Sequence, residues 1–318
     1  DELDIPAGVG AHLLPARGEN LEGQVAEVHQ LEVLDVEDEA ALGRLLDLPE
    51  PEIPLAEAAL RIAQEQYPDL DVPAYLRRLQ GLGHALAHGL GVYAGTDGSG
   101  PDGSWTRGDR LRALRNFLYG EHGFKGTSNE EFFDPCNSFL NDVLDRRTGL
   151  PIMLALVFIE VGRAIGLELA GVNFPGHFLV KTTDDGPELL LDPFNHGREV
   201  TWVEAMDRIE QVRGRKEPPE DYTEAVSPRL FLYGLLANLK ACYLREDRHG
   251  EAIAVLDRLL MVHPGACWER RDRGLLELKL GWYHHARADF EAYLEAAPHA
   301  DDRESVERRV EQARQLAT

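Results

Sequence analysis

From Pro54 to Gln66 the apolar residues Leu55, Ala58, Ala59, Ile62 and Ala63 recur at the spacing of one helix face. Asp71 precedes a second run, Tyr75, Leu76, Leu79, Leu82 and Leu86, which predicts a capped helix to about Leu90 with Pro73 tolerated in its first turn. A third stripe, Leu111, Leu114, Phe117 and Leu118, follows GTDGSGPDGS at 95–104, which reads as a loop. Residues 137–147 predict another helix, and 150–165 a longer one, apolar on most faces and therefore central. Then the period changes. GVNF, HFLVKT and ELLLDPF are short runs of strand character, separated by Pro-Gly and Asp-Asp-Gly turns. A buried helix followed by antiparallel strands predicts an α+β domain.

The remainder is helical and repetitive. Ala252 and Ala286, Leu256 and Phe290, and Pro264 and Pro298 each stand 34 residues apart. That period and the pattern A-x₃-[L/F]-x₇-P resemble tetratricopeptide repeats. Leu239 and Tyr243 fill the matching positions of the first repeat's leading helix; in the second, Gly274 matches while Arg273 and Glu277 do not. Residues 301–315 are polar on most faces, as a capping helix is. Two repeats are few for a free-standing array, so this segment is expected to lean on the α+β domain. Four regions result: an extended, Gly- and Pro-punctuated arm at 1–22, a helical region at 23–122 that begins with short acidic helices, a core at 123–215, and repeats with a capping helix at 226–318.

Charge narrows the partners. The 318 residues hold 56 acids against 33 bases, a formal net charge of −23. A field of that sign repels phosphate backbones and anionic lipid, so neither nucleic acid nor a membrane surface is expected as a partner. No apolar run approaches the length of a membrane span, and DELDIPAGVG has neither region of a signal peptide. The three cysteines, Cys136, Cys242 and Cys267, are scattered without disulfide or zinc spacing, so a reducing, cytoplasmic setting is expected.

The candidate chemistry centres on RRTGLPIMLAL at 146–156. A cysteine nucleophile is favoured at a helix start, where unpaired N–H groups and the macrodipole stabilise thiolate. It needs a His as base and a carboxylate to orient that His. Downstream, His177 opens one strand in PGHFLV and Asp192 ends another in LDPFN. Neighbouring antiparallel strands can bring the two side chains within hydrogen-bond reach.

RRTGLPIMLALVFIEVGRAIGLELAGV, PGHFLV and LDPFN resemble the transglutaminase-like superfamily, a papain-like fold with a Cys-His-Asp triad. With FFDPCNSFLNDVLDRRTGLPI and LAEAALRIAQEQYPDLDVPAYL they look like its bacterial SirB-type branch, in which such a core precedes tetratricopeptide repeats. The resemblance covers roughly residues 50–300. In catalytic members the helix begins Gly-x-Cys, with Ala four residues after the Cys. Gly149 and Ala155 match that Gly and Ala, His177 the triad His and Asp192 the triad Asp. The position of the Cys is Pro151. SirB-type relatives resemble this pattern, with Pro there and Ser two residues later; here that second position is Met153, without a hydroxyl. Proline offers no nucleophile, yet it suits a first helical turn, where its missing N–H costs nothing.

The other candidates each have a bland and a sharp reading. Cys136 is a small residue at a helix start or a substitute nucleophile. Ser138 lies with Asp134 and Asn137 in a capping sequence, without a Gly-x-Ser-x-Gly context. His196, with His177 and Asp192, forms a conceivable two-His, one-carboxylate metal set. Arg146 and Arg147 read as partners for carboxylates or a helix end. Lys240, Arg245, Arg270, Arg271 and Arg273 are basic residues of the repeats that could line a groove for a protein or peptide partner. The resulting expectation is a non-catalytic, protein-interacting protein that needs no cofactor. The alternative is a hydrolase or acyl-transfer enzyme using His177 and Asp192 with water or Cys136, and a third is a metal-dependent hydrolase.

Overall fold

The computed structural model describes residues 36–92 and 105–317. The arm at 1–22, the start of the acidic stretch after it and the loop at 95–104 lie outside these residues. Helix α1 spans Val36–Leu46 and α2 Leu55–Gln64, whose Ala58, Leu60 and Ala63 are fully buried. Helix α3, Val72–Gly89, is capped by Asp71, whose carboxylate accepts the Ala74 N–H at 2.8 Å. Helix α4, Arg107–Arg115, starts on a reciprocal Thr106–Asp109 capping box and widens into a π-helical turn, Asn116–Glu121. The stripe Leu111, Leu114, Phe117 and Leu118 is buried throughout, although the helix changes pitch beneath it.

The core begins with β1, Lys125–Gly126, and a 3₁₀ turn, Pro135–Asn137. Helix α5, Leu140–Arg146, ends on Arg147 in the left-handed region, at φ 55°. Strand β2, Thr148–Gly149, pairs in parallel with β1. Helix α6, Pro151–Arg163, follows at once and is buried from Ile152 to Ile159, as an all-round apolar sequence requires.

Strands β3 (Leu169–Phe174), β4 (His177–Thr182), β5 (Leu190–Asp192) and β6 (Arg198–Val200) form one antiparallel sheet in that order. Alternation divides its side chains between two layers. Phe178, Val180 and Leu191 join the cluster built on α6, while Val172, Phe174, Leu179 and Leu190 pack with Ala205 and Ile209. Those two belong to α7, Trp202–Arg213, which starts on a Thr201–Glu204 capping box and stops at Gly214, φ 73°. The sequence reading did not single out β6 or α7. Strand β6 has three residues, and α7 buries only Ala205 and Ile209, so neither carries a strong periodic signal.

Two helical hairpins and a cap complete the chain: α8 (Pro228–Arg245) with α9 (His249–Val262), α10 (Cys267–Leu280) with α11 (Tyr283–Ala296), and α12 (Arg303–Leu316). Gly274 allows the second hairpin to close, since a Cβ there would stand 2.8 Å from the Phe290 ring. The first hairpin is built into the core. Phe231 of α8 meets Phe178 edge-on with ring centroids 5.1 Å apart, and Ile152 of α6 packs beside Gly234. Arg229 donates to the Val262 carbonyl at 3.0 Å and to that of Leu46. One hydrophobic cluster consequently runs from Leu42 to Leu280. Each fully buried Leu or Phe within it contributes about 2 kcal/mol relative to exposure.

Candidate functional site

His177 enters β4 directly from a tight turn whose Gly176 takes φ 66°. Asp192 ends β5 because Pro193 cannot continue the ladder and begins a 3₁₀ turn, Pro193–Asn195. The pairing of Val180 with Leu191 carries Asp192 toward the start of β4. There His177 Nε2 and Asp192 Oδ1 lie 2.8 Å apart, with side chains 7% and 1% exposed. Asp192 also accepts from the Asn195 N–H at 3.2 Å and from its Nδ2 at 2.7 Å, so one carboxylate orients the imidazole and caps the turn. Burial works against its charge, but the His177 and Asn195 interactions outweigh it and hold the carboxyl below its ordinary range. Phe194 stands edge-on to His177, centroids 5.8 Å apart, and lies on Gly126, where a Cβ would come within 2.6 Å of the ring.

Tyr119 completes this corner and was not expected. The π-helical turn directs its ring between Phe158 of α6 and His196, at 6.4 and 5.5 Å. Its hydroxyl is buried without a hydrogen-bond partner among the described residues. Burial, then the Asp192 charge, push its pKa up. Only the rarity of π-helical turns outside functional regions marks it, and no sequence pattern carries that signal.

Pro151 occupies the first position of α6, half-buried, after Leu150, whose N–H donates to the Asn137 carbonyl at 3.0 Å. Met153 is fully buried. Neither side chain carries a thiol or a hydroxyl.

Cys136 has different surroundings. Its sulfur is 3.9 Å from the Tyr67 hydroxyl, which donates to Asp142 at 2.7 Å, and its N–H donates to Asp134 at 3.0 Å. Burial, the Asp134 hydrogen bond and the Asp142 charge raise its thiol pKa, the reverse of activation. Asp134 caps its turn as expected and pairs with Arg146 at 2.9 Å, while Arg147 donates to the His122 carbonyl at 2.6 Å. The Ser138 hydroxyl is buried and has no hydrogen-bond partner among the described residues.

His196 does not join His177 and Asp192 in a ligand set. It sits exposed at φ 61°, edge-on to Tyr119, and among the described residues no group of three His, Cys, Asp or Glu side chains is placed to hold a metal ion.

The five basic residues of the repeats all have partners within the chain. Lys240 of α8 reaches Glu269 and Asp272 of α10 at 2.6 and 2.7 Å. Arg271 bridges Asp272 and Asp302, each at 2.8 Å. Arg273 binds Asp289 of α11 at 2.6 Å and Asp257 of α9, and Arg270 approaches Asp289 at 3.6 Å. Arg245 lies 4.3 Å from the Phe133 ring centroid, against the core.

A cavity of about 220 Å³ between the sheet and α7 has Asp192 in its lining. Phe174, Leu179, Val200, Arg198 and Arg208 contribute to its lining.

Residues 71–237 match the family described as the transglutaminase-like superfamily, and 239–311 match the tetratricopeptide repeat. The chain belongs to the transglutaminase-like superfamily. Its α+β architecture and following repeats are those the sequence resemblance implied. A UPF0162 protein of Xylella fastidiosa (strain 9a5c) is 35% identical over 250 residues, 77% of this chain and 85% of the relative. Another, from Vibrio cholerae, is 31% identical over 192 residues, 59% and 70% of the two chains. Mouse F-box only protein 21 is 34% identical over 99 residues, 29% of this chain and 16% of its own. The transglutaminase-like core of this chain thus holds His177 and Asp192 at hydrogen-bond distance and begins α6 with Pro151. No helix among the described residues is long and apolar enough to cross a membrane.

Proposed function

We propose that this chain is a non-catalytic, protein-interacting member of the transglutaminase-like superfamily. The single observation that carries the reading is Pro151 at the first position of α6, where catalytic relatives place their cysteine. Two further points support it. Asp192 caps a turn through Asn195 as well as holding His177, which gives the pair a folding role. Cys136 has Tyr67, Asp134 and Asp142 as polar neighbours, and burial disfavours its thiolate. The repeats supply the interaction half of the reading, since stacked helical hairpins commonly present surfaces to other proteins.

Affinity capture with the full chain tests this reading. Point changes suit it better than truncation, because removing α8 would strip the core. Arg270→Glu and Lys279→Glu, both on α10, together should remove a discrete set of partners, while His177→Ala should keep them. An unchanged partner set with the charge-reversed α10 overturns the interaction reading. The intact His177–Asp192 hydrogen bond favours a second reading, hydrolysis with His177 as base for water. That reading requires an activity lost in His177→Ala at unchanged stability.

A further inference from the structure

The face that α3 turns to solvent is set by the face it buries. Leu79, Leu86 and Ala87 are buried, and Gly83 lies against the end of α6, where a Cβ would stand 2.7 Å from that of Ala164. At about 100° per residue, Gly81, His84, Ala85 and His88 fall on the side away from that contact, and all four are exposed. His84 and His88 are one helical turn apart, which sets their Cβ atoms about 6 Å from each other. No other two of the 12 histidines are spaced by three or four residues. His284 and His285, adjacent on α11, do not face each other.

Neither imidazole of the α3 pair has a hydrogen bond, ion pair or ring contact among the described residues. Each neutral ring therefore offers a nitrogen lone pair that nothing else in the fold uses. Imidazole nitrogen is a ligand for Zn²⁺, Ni²⁺ and Cu²⁺, whereas Mg²⁺ and Ca²⁺ take oxygen. Metal–nitrogen bonds of about 2 Å, from side chains one turn apart on a helix, can meet at one ion. Space is open beside the pair: a Cβ at Gly81 or at Gly89 would have nothing within 4 Å. Gly81, Gly83 and Gly89 also lower the helix propensity of this half of α3, so a clip across 84–88 would act where the helix is intrinsically weak. The net charge of −23 draws divalent cations to the surface without choosing among them, so selection falls to the nitrogens.

We propose that His84 and His88 form a two-histidine site for a divalent transition metal of the zinc and nickel class, with water completing the coordination. The site needs only these two protein ligands and is unlike a set of three, of which the described residues hold none. It is separate from His177 and Asp192 and does not depend on the reading of Pro151. Its strength comes from the pairing: once one ring has bound, the second bond forms within the molecule, which makes the pair about a hundredfold tighter than either ring alone.

Calorimetric titration of the full chain, first stripped of metal with a chelator, tests the site with Ni²⁺, Zn²⁺ and Mg²⁺. Ni²⁺ and Zn²⁺ should each bind in a tight one-to-one event that excess Mg²⁺ does not displace. His84→Ala and His88→Ala should each weaken that event about a hundredfold. Two further variants keep the number of histidines and change only their spacing. His84→Ala with Ala85→His leaves imidazoles three residues apart, still on one face, and should retain the tight event. His88→Ala with Ala85→His leaves them adjacent and should bind as weakly as the single variants. Thermal unfolding without metal checks that these exposed changes leave the fold intact. With Ni²⁺ added, only the wild type and the three-apart variant should melt at a higher temperature. Absence of a tight event, a tight event that survives His84→Ala, displacement by Mg²⁺, or equal binding by the two spacing variants each overturns the proposal.

Discussion

His177 Nε2 and Asp192 Oδ1 stand 2.8 Å apart, and the same carboxylate closes the Pro193–Asn195 turn. The pair therefore ties the β4 start to the β5 end whether or not anything reacts beside it.

Replacing Asp192 by Asn should weaken that junction by about 2 kcal/mol at neutral pH, the scale of hydrogen bonds to a buried charge. The pH dependence has a fixed sign. The carboxyl of Asp192 lies below its ordinary value of 3.8 in the folded chain, so its contribution is present above that value and lost as pH falls through the lower, folded one. Urea unfolding at neutral pH and in the acid range should show wild type and Asp192→Asn converging only in acid. A constant gap down to the lowest pH would contradict this account.

Pro151→Cys should place a thiol at a helix N-terminus, where the macrodipole favours thiolate. Alkylation at neutral pH should proceed faster there than at Cys136, whose thiol is shifted upward. Mass spectrometry of time-resolved labelling separates the two sites. Equal rates would mean that the start of α6 does not activate a sulfur.

Glu277 stands at the aromatic position of the second repeat and is 6% exposed, with one carboxylate oxygen unpartnered among the described residues. Burial first, then the Asp289 charge, push its pKa up to about 8. Its neutral form therefore suits the fold, and stability should fall as pH rises from the ordinary 4.5 toward 8, by at most about 1.4 kcal/mol per unit. Glu277→Gln should flatten that slope and be the more stable chain at alkaline pH. Chemical denaturation across this range is the check; a slope that persists in the variant assigns it to another group.

Arg273→Met should cost about 3 kcal/mol, because it leaves Asp289, 5% exposed, without its main counter-charge. Adding Asp289→Asn should recover most of the loss. If the double variant is no more stable than the single one, lost packing of the arginine stem, not the orphaned carboxylate, is responsible.

Much of this molecule is legible along the chain because its signals are local. The apolar run of α6, the alternation of β3 and β4, and the 34-residue recurrence in the repeats each depend on neighbours in sequence. The same holds for Asp71 and Asp134 as caps, and for His177 and Asp192 at strand ends. What escaped depends on distant partners. Asp257 and Asp289 come from other helices and Asp302 from the turn before α12 to meet Arg271 and Arg273, so a basic cluster that looks available in sequence is internally paired. Tyr119 sits between Phe158 and His196 on a local change of helix pitch, which hydrophobic periodicity does not encode.

The seat of α8 on α6 and β4 has a consequence for how this architecture can diversify. Its flank toward Ile152 and Phe178 is occupied, so no additional hairpin can be inserted ahead of it without uncovering the sheet. The array can lengthen past α12, whose buried side chains are Val306 and Ala313. Amide exchange should register the same asymmetry: α8 as slow as α6, α12 the first helix of the array to open.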